Sequence, residues 1–140
     1  MSDKLNNLQK KINIKFKNLN YLKKSITHKS YDPLSNYEKL EFLGDRILGF
    51  VISKKLIELY PNEKEGVLDK KLASLVNKNQ CLEVAKIIGL EKFILVGNKS
   101  AKTKVENKII ADSIEALIGA IYYDKGFEVS EKFILNMWKN

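Results

Sequence analysis

A chain of 140 residues with a single cysteine is the size of one ordinary domain and can bury its own core without disulfides or a structural metal. Its 25 basic residues against 17 acidic ones give a formal charge of +8, which favours a polyanionic partner and argues against an acidic small molecule or a purely structural role. No apolar run approaches the roughly 18 residues of a membrane span, and the opening MSDKLNNLQKK has no apolar signal-peptide core, so a cytoplasmic protein without a membrane partner is expected.

In chain order, apolar residues recur at three- and four-residue spacing in LNNLQKKI, YLKKSIT, YEKLEFLGDRILGFVISKKLIEL, VLDKKLASLVNKNQCLEVAKIIG, IIADSIEALIGAIYYD and VSEKFILNMW. This pattern predicts one all-α domain. Short connections remain at SYDPLSN, PNEKEG and GNKSAKTKVEN, with Pro33 and Pro61 near helix boundaries, while EKFILVG fits a short strand or a helical turn equally well. Cys81 falls in QCLEVAKIIG, where a buried small apolar residue is the expected role.

The helix predicted from about Asn36 to Tyr60 carries Glu38, Glu41 and Asp45 in one narrow arc, opposite Leu40, Leu43, Ile47 and Val51. Phe42, Leu48 and Ile52 flank that arc, which makes the helix apolar nearly all round and central in the fold. Gly49, one turn beyond Asp45, is the position expected to admit a close backbone or ligand. A second acidic stripe follows in the later helix, where Asp112 and Glu115 share a face with Ala116 and Gly119, opposite Ile110, Ile114, Leu117 and Ile121.

The same spacing also describes the solvated side of a surface helix. If the two stripes face one another, Glu41, Asp45, Asp112 and Glu115 converge, and partly desolvated carboxylates need positive charge to stay ionised. Oxygen-only ligands with no His or Cys beside them suit Mg²⁺ or Mn²⁺, and carboxylate-held hard cations commonly serve phosphate-ester chemistry. A basic chain with such a site points to a nuclease.

The segment NYEKLEFLGDRIL resembles the signature of the ribonuclease III family, with Glu38, Glu41, Phe42, Leu43, Gly44 and Asp45 on the motif. THKSY at 27–31, Glu65-Gly66 followed by LASLVN at 72–77, and IIADSIEALIGAIYYDKGF at 109–127 are similar to the family's other blocks, in the same order, from about residue 12 to the end. Two positions depart: Leu72 stands where the family often has arginine, and NKSAKTKVEN replaces a loop usually written with paired glycines.

The resemblance implies a ribonuclease III endonuclease-domain-like helical fold over residues 1–140 and a Mg²⁺-dependent endoribonuclease, with Mn²⁺ a substitute, acting on double-stranded RNA. It implies products with 5′-phosphate and 3′-hydroxyl ends and short 3′ overhangs, and processing of ribosomal RNA precursors and other structured RNAs. Carried over by position, Asp45 and Glu115 are catalytic and Glu41, Asp45, Asp112 and Glu115 hold the metal. Glu38 and Glu65 match secondary acidic positions near the cleavage valley, and Phe42 matches the aromatic residue at a homodimer interface, although ordinary core is its alternative.

Lys70, Lys71, Lys78, Lys99, Lys102, Lys104 and Lys108 are candidates for phosphate contacts, although for any one of them plain solvated charge is the better reading. His28 reads as structural. Family members usually continue beyond the equivalent of NMWKN into a double-stranded-RNA-binding domain, so the expectation is a catalytic-domain fragment. A short Mini-III-type ribonuclease, a non-catalytic duplex-RNA-binding relative and a helical interaction module are the alternatives.

Overall fold

The structure, a computed structural model, describes residues 2–97 and 104–138. Seven α-helices occur among them: α1 (Ser2–Ile12), α2 (Leu19–Ser25), α3 (Glu38–Leu59), α4 (Glu65–Val76), α5 (Lys78–Ile87), α6 (Asn107–Lys125) and α7 (Phe127–Met137). The architecture is all-α, as the periodicity predicts. No helix among the described residues is long and apolar enough to cross a membrane.

Helix α6 is the axle of the fold. Every residue from Ile110 to Ile121 is buried, because α2, α3, α5 and α7 all pack on it. Helix α3 runs beside it and contributes Leu40, Ile47, Leu48, Val51, Ile52 and Leu56 to the same core. Such all-round burial needs apolar side chains on every face, and α6 supplies them except at its two acids and Ser113, whose hydroxyl donates to the Ser25 carbonyl at 2.8 Å.

Two glycines set how closely α3 and α6 approach. A Cβ on Gly44 would sit 1.7 Å from the Glu115 carbonyl oxygen, and one on Gly119 would sit 2.4 Å from that of Leu40. Backbone therefore meets backbone at this crossing, and no side chain fits between. Gly49, the expected point of close approach, has nothing within 4 Å of a built Cβ. Within this chain it is Gly44, inside the motif, that does the spacing, while Gly49 is half-buried with open space beside it.

The long segment of helical periodicity from Val67 to Gly89 is two helices. Asn77 adopts an extended backbone (φ −68°, ψ 166°) between them, and its side chain accepts from the Gln80 N–H at 2.8 Å, an N-cap that starts α5 at Lys78. EKFILVG becomes a 3₁₀ turn at Leu90–Lys92 and then a single parallel bridge between Leu95 and Thr27. Around that bridge the Leu95 N–H donates to the Ile26 carbonyl at 2.7 Å and the His28 N–H to the Leu95 carbonyl at 2.9 Å. The His28 ring stacks edge-on to Tyr37 and its Nδ1 accepts from the Ser30 N–H, a structural place at the loop that leads into α3.

Replacing Gly44 or Gly119 by alanine forces a methyl group into a backbone carbonyl. The expected loss of stability is at or above the upper end of the roughly 1–3 kcal/mol typical of overpacking, read by denaturant unfolding at fixed protein concentration; unfolding curves that coincide with the wild type would contradict the tight crossing.

Candidate metal centre

The loop before α3 is fixed by side chains that satisfy its amides. Asp32 Oδ1 accepts from the Leu34 and Ser35 N–H groups at 3.0 Å each, Asn36 Oδ1 accepts from the Glu38 N–H at 3.1 Å, and the Tyr37 N–H donates to the Thr27 carbonyl at 3.0 Å. This sets the first turn of α3, and with it Glu41, against α6. On α6, Asp112 and Glu115 lie one turn apart and are 4% and 0% exposed. One carboxylate oxygen from each of Glu41, Asp112 and Glu115 lies within 4.8 Å of the others. The glycine crossing is what makes this possible, since Gly44 packs on the backbone of Glu115 itself.

A family model described as ribonuclease-III-like matches residues 18–140. The chain belongs to that family. Among curated proteins it is similar to the ribonuclease 3 of Pelagibacter ubique, 63% identical over 132 residues that cover 94% of this chain and 60% of that protein. It is 41% identical over 140 residues to the ribonuclease 3 of Wolbachia pipientis subsp. Culex pipiens, with 94% and 61% covered. The chain thus spans about three-fifths of the length of these relatives. Two solved nuclease domains of ribonuclease III from Campylobacter jejuni match with TM-scores of 0.89 and 0.87, each 34% identical over 94% of this chain and covering 93% and 91% of theirs.

Within this ribonuclease-III-like domain the three clustered acids are held by lysines. Lys78 Nζ, reaching over from the first residue of α5, donates to Asp112 Oδ1 at 2.7 Å, to Glu41 Oε2 at 3.3 Å and to Glu115 Oε1. Lys108, one turn before Asp112, donates to its other oxygen at 2.7 Å. The second oxygen of Glu115, Oε2, is buried with no hydrogen-bond partner. A buried carboxyl oxygen without a partner is costly, and the cost is greatest when the group is ionised.

Burial pushes the Glu115 carboxyl up to about 8; the neighbouring Asp45 carboxylate raises it further, while Lys78 pulls it down. Burial likewise raises the Tyr37 phenol, helped by the charges of Asp112 and Glu41, so this hydroxyl stays a donor beside Asp112. The Cys81 thiol is pushed up to about 12 by burial and then by the Glu115 charge, which keeps it a neutral core residue as the sequence suggests. For Lys78, burial lowers its pKa, but the hydrogen bonds to Asp112 and Glu115 outweigh it and hold the ammonium charged.

The expected convergence of four carboxylates holds for three. Asp45, one turn beyond Glu41, acts on Glu115 through its charge but stands outside the close triad, with its side chain 44% exposed and paired to Arg46 at 3.3 Å. Glu38 is exposed at the start of α3, where its charge touches only the rim of the site through Tyr37. Glu65 opens α4 and lines a separate pocket with Ser53, Leu68, Asp69 and Leu72. Phe42 is 60% exposed, and the Arg46 guanidinium covers one face of its ring at 3.9 Å from the centroid.

Of the lysine candidates, Lys78 and Lys108 belong to the acid cluster. Lys71 sits over the Tyr60 ring, Lys70 and Lys104 are exposed, and Lys99 and Lys102 lie outside the described residues. Tyr37, whose phenol feels the Asp112 and Glu41 charges, and Gly44, which sets the crossing, surround the cluster in ways that helical periodicity did not single out. Lys108 was detectable, being four residues from Asp112 on one helix face; Lys78 was not, because it arrives from another helix.

In the unfolded chain Glu115 ionises near its usual 4.5, and in the fold near 8, so between these values the folded state holds the extra proton. Stability from this group is therefore fully present below 4.5 and declines as pH rises toward 8. In chelator-containing buffer the melting temperature is expected to fall across that range, and to fall less in Glu115→Gln, where nothing ionises; an equal fall in both proteins would contradict the buried, raised carboxyl.

Proposed function

We propose that residues 1–140 form the endonuclease domain of a Mg²⁺-dependent ribonuclease that cuts both strands of double-stranded RNA, and that the protein works as a cytoplasmic homodimer. The observation that carries this reading is the triad of Glu41, Asp112 and Glu115, clustered within 4.8 Å and partly buried. The donor set fits Mg²⁺, with Mn²⁺ as a substitute: all ligands are carboxylate oxygens, the one nearby thiol stays protonated, and Glu115 keeps an oxygen without a partner.

In this mechanism Glu41, Asp112 and Glu115 hold the ion, Asp45 completes its surroundings, and Asp45 and Glu115 are the catalytic pair. The bound cation supplies activation of water for attack on phosphorus and relief of charge on the departing 3′ oxygen. Glu115, whose burial raises its affinity for a proton, and Asp45, which stays open to solvent, divide the work of orienting water and moving its proton. Products carry 5′-phosphate and 3′-hydroxyl ends.

Glu38 and Glu65 flank the cleavage valley. The +8 charge suits a duplex recognised by shape and phosphates, and a dimer that offers one site to each strand leaves short 3′ overhangs. Precursors of ribosomal RNA and structured messenger RNA are the proposed substrates.

An apolar face of α3 supports the dimer. Phe42, Phe50 and Ile57 are all more than half exposed and fall on one side of the helix together with Gly49, which leaves room for a close partner. A Campylobacter jejuni relative is described with structural flexibility in the region of its nuclease domain involved in dimer formation.

A long RNA duplex should be cut in Mg²⁺ and left intact in EDTA. Asp45→Asn and Glu115→Gln should each lower cleavage by more than about 100-fold, since residues that merely orient a metal ligand already cost about 10–100-fold, with helicity and dimer retained. Cleavage at wild-type rate in either variant removes the assignment. Phe42→Ala should weaken the dimer by about 2 kcal/mol, as truncation of an interfacial aromatic anchor does, or roughly thirtyfold in Kd by sedimentation; an unchanged dimer would return Phe42 to mere surface.

A further inference from the structure

The position at the middle of the three acids is taken by Lys78. An ammonium has three N–H donors, and here all three find a carboxylate: Asp112 Oδ1 at 2.7 Å, Glu41 Oε2 at 3.3 Å and Glu115 Oε1. These residues are the ones whose oxygens cluster for a cation. Lys108 contributes from one side only, at Asp112 Oδ2, and leaves the centre free.

Lys78 is also built to leave. It is the first residue of α5, its backbone pinned by the Asn77 cap, while its side chain is 48% exposed and carries the charge on a flexible four-carbon stem. A dication and an ammonium cannot share a space this small, because like charges a few ångströms apart in a partly desolvated site repel strongly.

We infer that Lys78 is a resident cation that occupies the metal position until a divalent ion displaces it, so that metal binding is an exchange and not a simple addition. The inference rests on the metal-site reading above. Its physical consequence is a trade: the ammonium stabilises three neighbouring carboxylates before the ion arrives, and it lowers the apparent affinity for the ion by the fraction of time it occupies the centre.

The test uses Mn²⁺ alone as probe, with binding followed by electron paramagnetic resonance on the whole chain. Lys78→Met keeps the stem and removes the charge. If the ammonium holds the centre about nine-tenths of the time, the variant should bind Mn²⁺ about tenfold more tightly, and in EDTA it should melt at a lower temperature than the wild type.

Wild-type protein gives a second readout that needs no variant. Acylation of Lys78, followed by peptide mass spectrometry, should be slow in EDTA and faster with Mn²⁺, the reverse of the shielding a bound ligand usually gives. Equal or weaker binding by Lys78→Met, or Lys78 acylation that does not rise with Mn²⁺, overturns the exchange while leaving the metal site standing. No Mn²⁺ binding by either protein overturns both.

Discussion

The contact on which the site depends is between two backbones, where Gly44 of α3 rests on the Glu115 carbonyl and Gly119 of α6 rests on that of Leu40. Helices normally keep their axes about 8–10 Å apart because side chains intervene. Removing the side chain on both partners at one crossing lets the first turns of α3 approach α6, and the acids on either side of the glycines come with them. Glu41 lies one turn before Gly44, and Asp112 and Glu115 lie on α6 ahead of Gly119. The glycines thus act through position: they place charge and carry none.

The crossing creates an electrostatic imbalance that the rest of the fold only partly offsets. Two of the three clustered acids are in the core, where hydration is lost, and the packing of α2, α3, α5 and α7 around α6 prevents them from turning outward. Lys78 and Lys108 answer part of the demand for donors, yet one Glu115 oxygen stays without a partner. Nothing in folding alone requires such an arrangement, since apolar residues of similar size would pack there at less cost. This unbalanced charge is what the proposed metal-site reading explains.

The helical class and the two acidic stripes were legible because a 3.6-residue period survives in any helix, whatever it packs on. Leu40, Ile47 and Val51 are buried as their spacing indicates, and so is the whole apolar face of α6. Features that lie between elements were not legible. Gly49 and Gly44 look alike in a helix, and only the partner's backbone distinguishes the spacer from the residue on the open face. Asn77 broke a segment whose helical periodicity looked continuous, since a cap works through one side-chain bond that periodicity does not register. Asp45 shares an arc with Glu41 but stands farther out along the crossing, and Lys78 comes from a third helix that no local pattern connects to the acids.

A crystal grown or soaked in Mn²⁺ and examined by anomalous scattering would probe the glycine crossing, the acid triad and the lysine together. The expected result is a strong peak bounded by the carboxylates of Glu41, Asp112 and Glu115, with the Gly44–Gly119 contact intact and the Lys78 ammonium moved off the centre. A structure from Mn²⁺-saturated solution with no peak there, or with the three carboxylates pointing to separate surfaces, would contradict a metal centre built on that crossing.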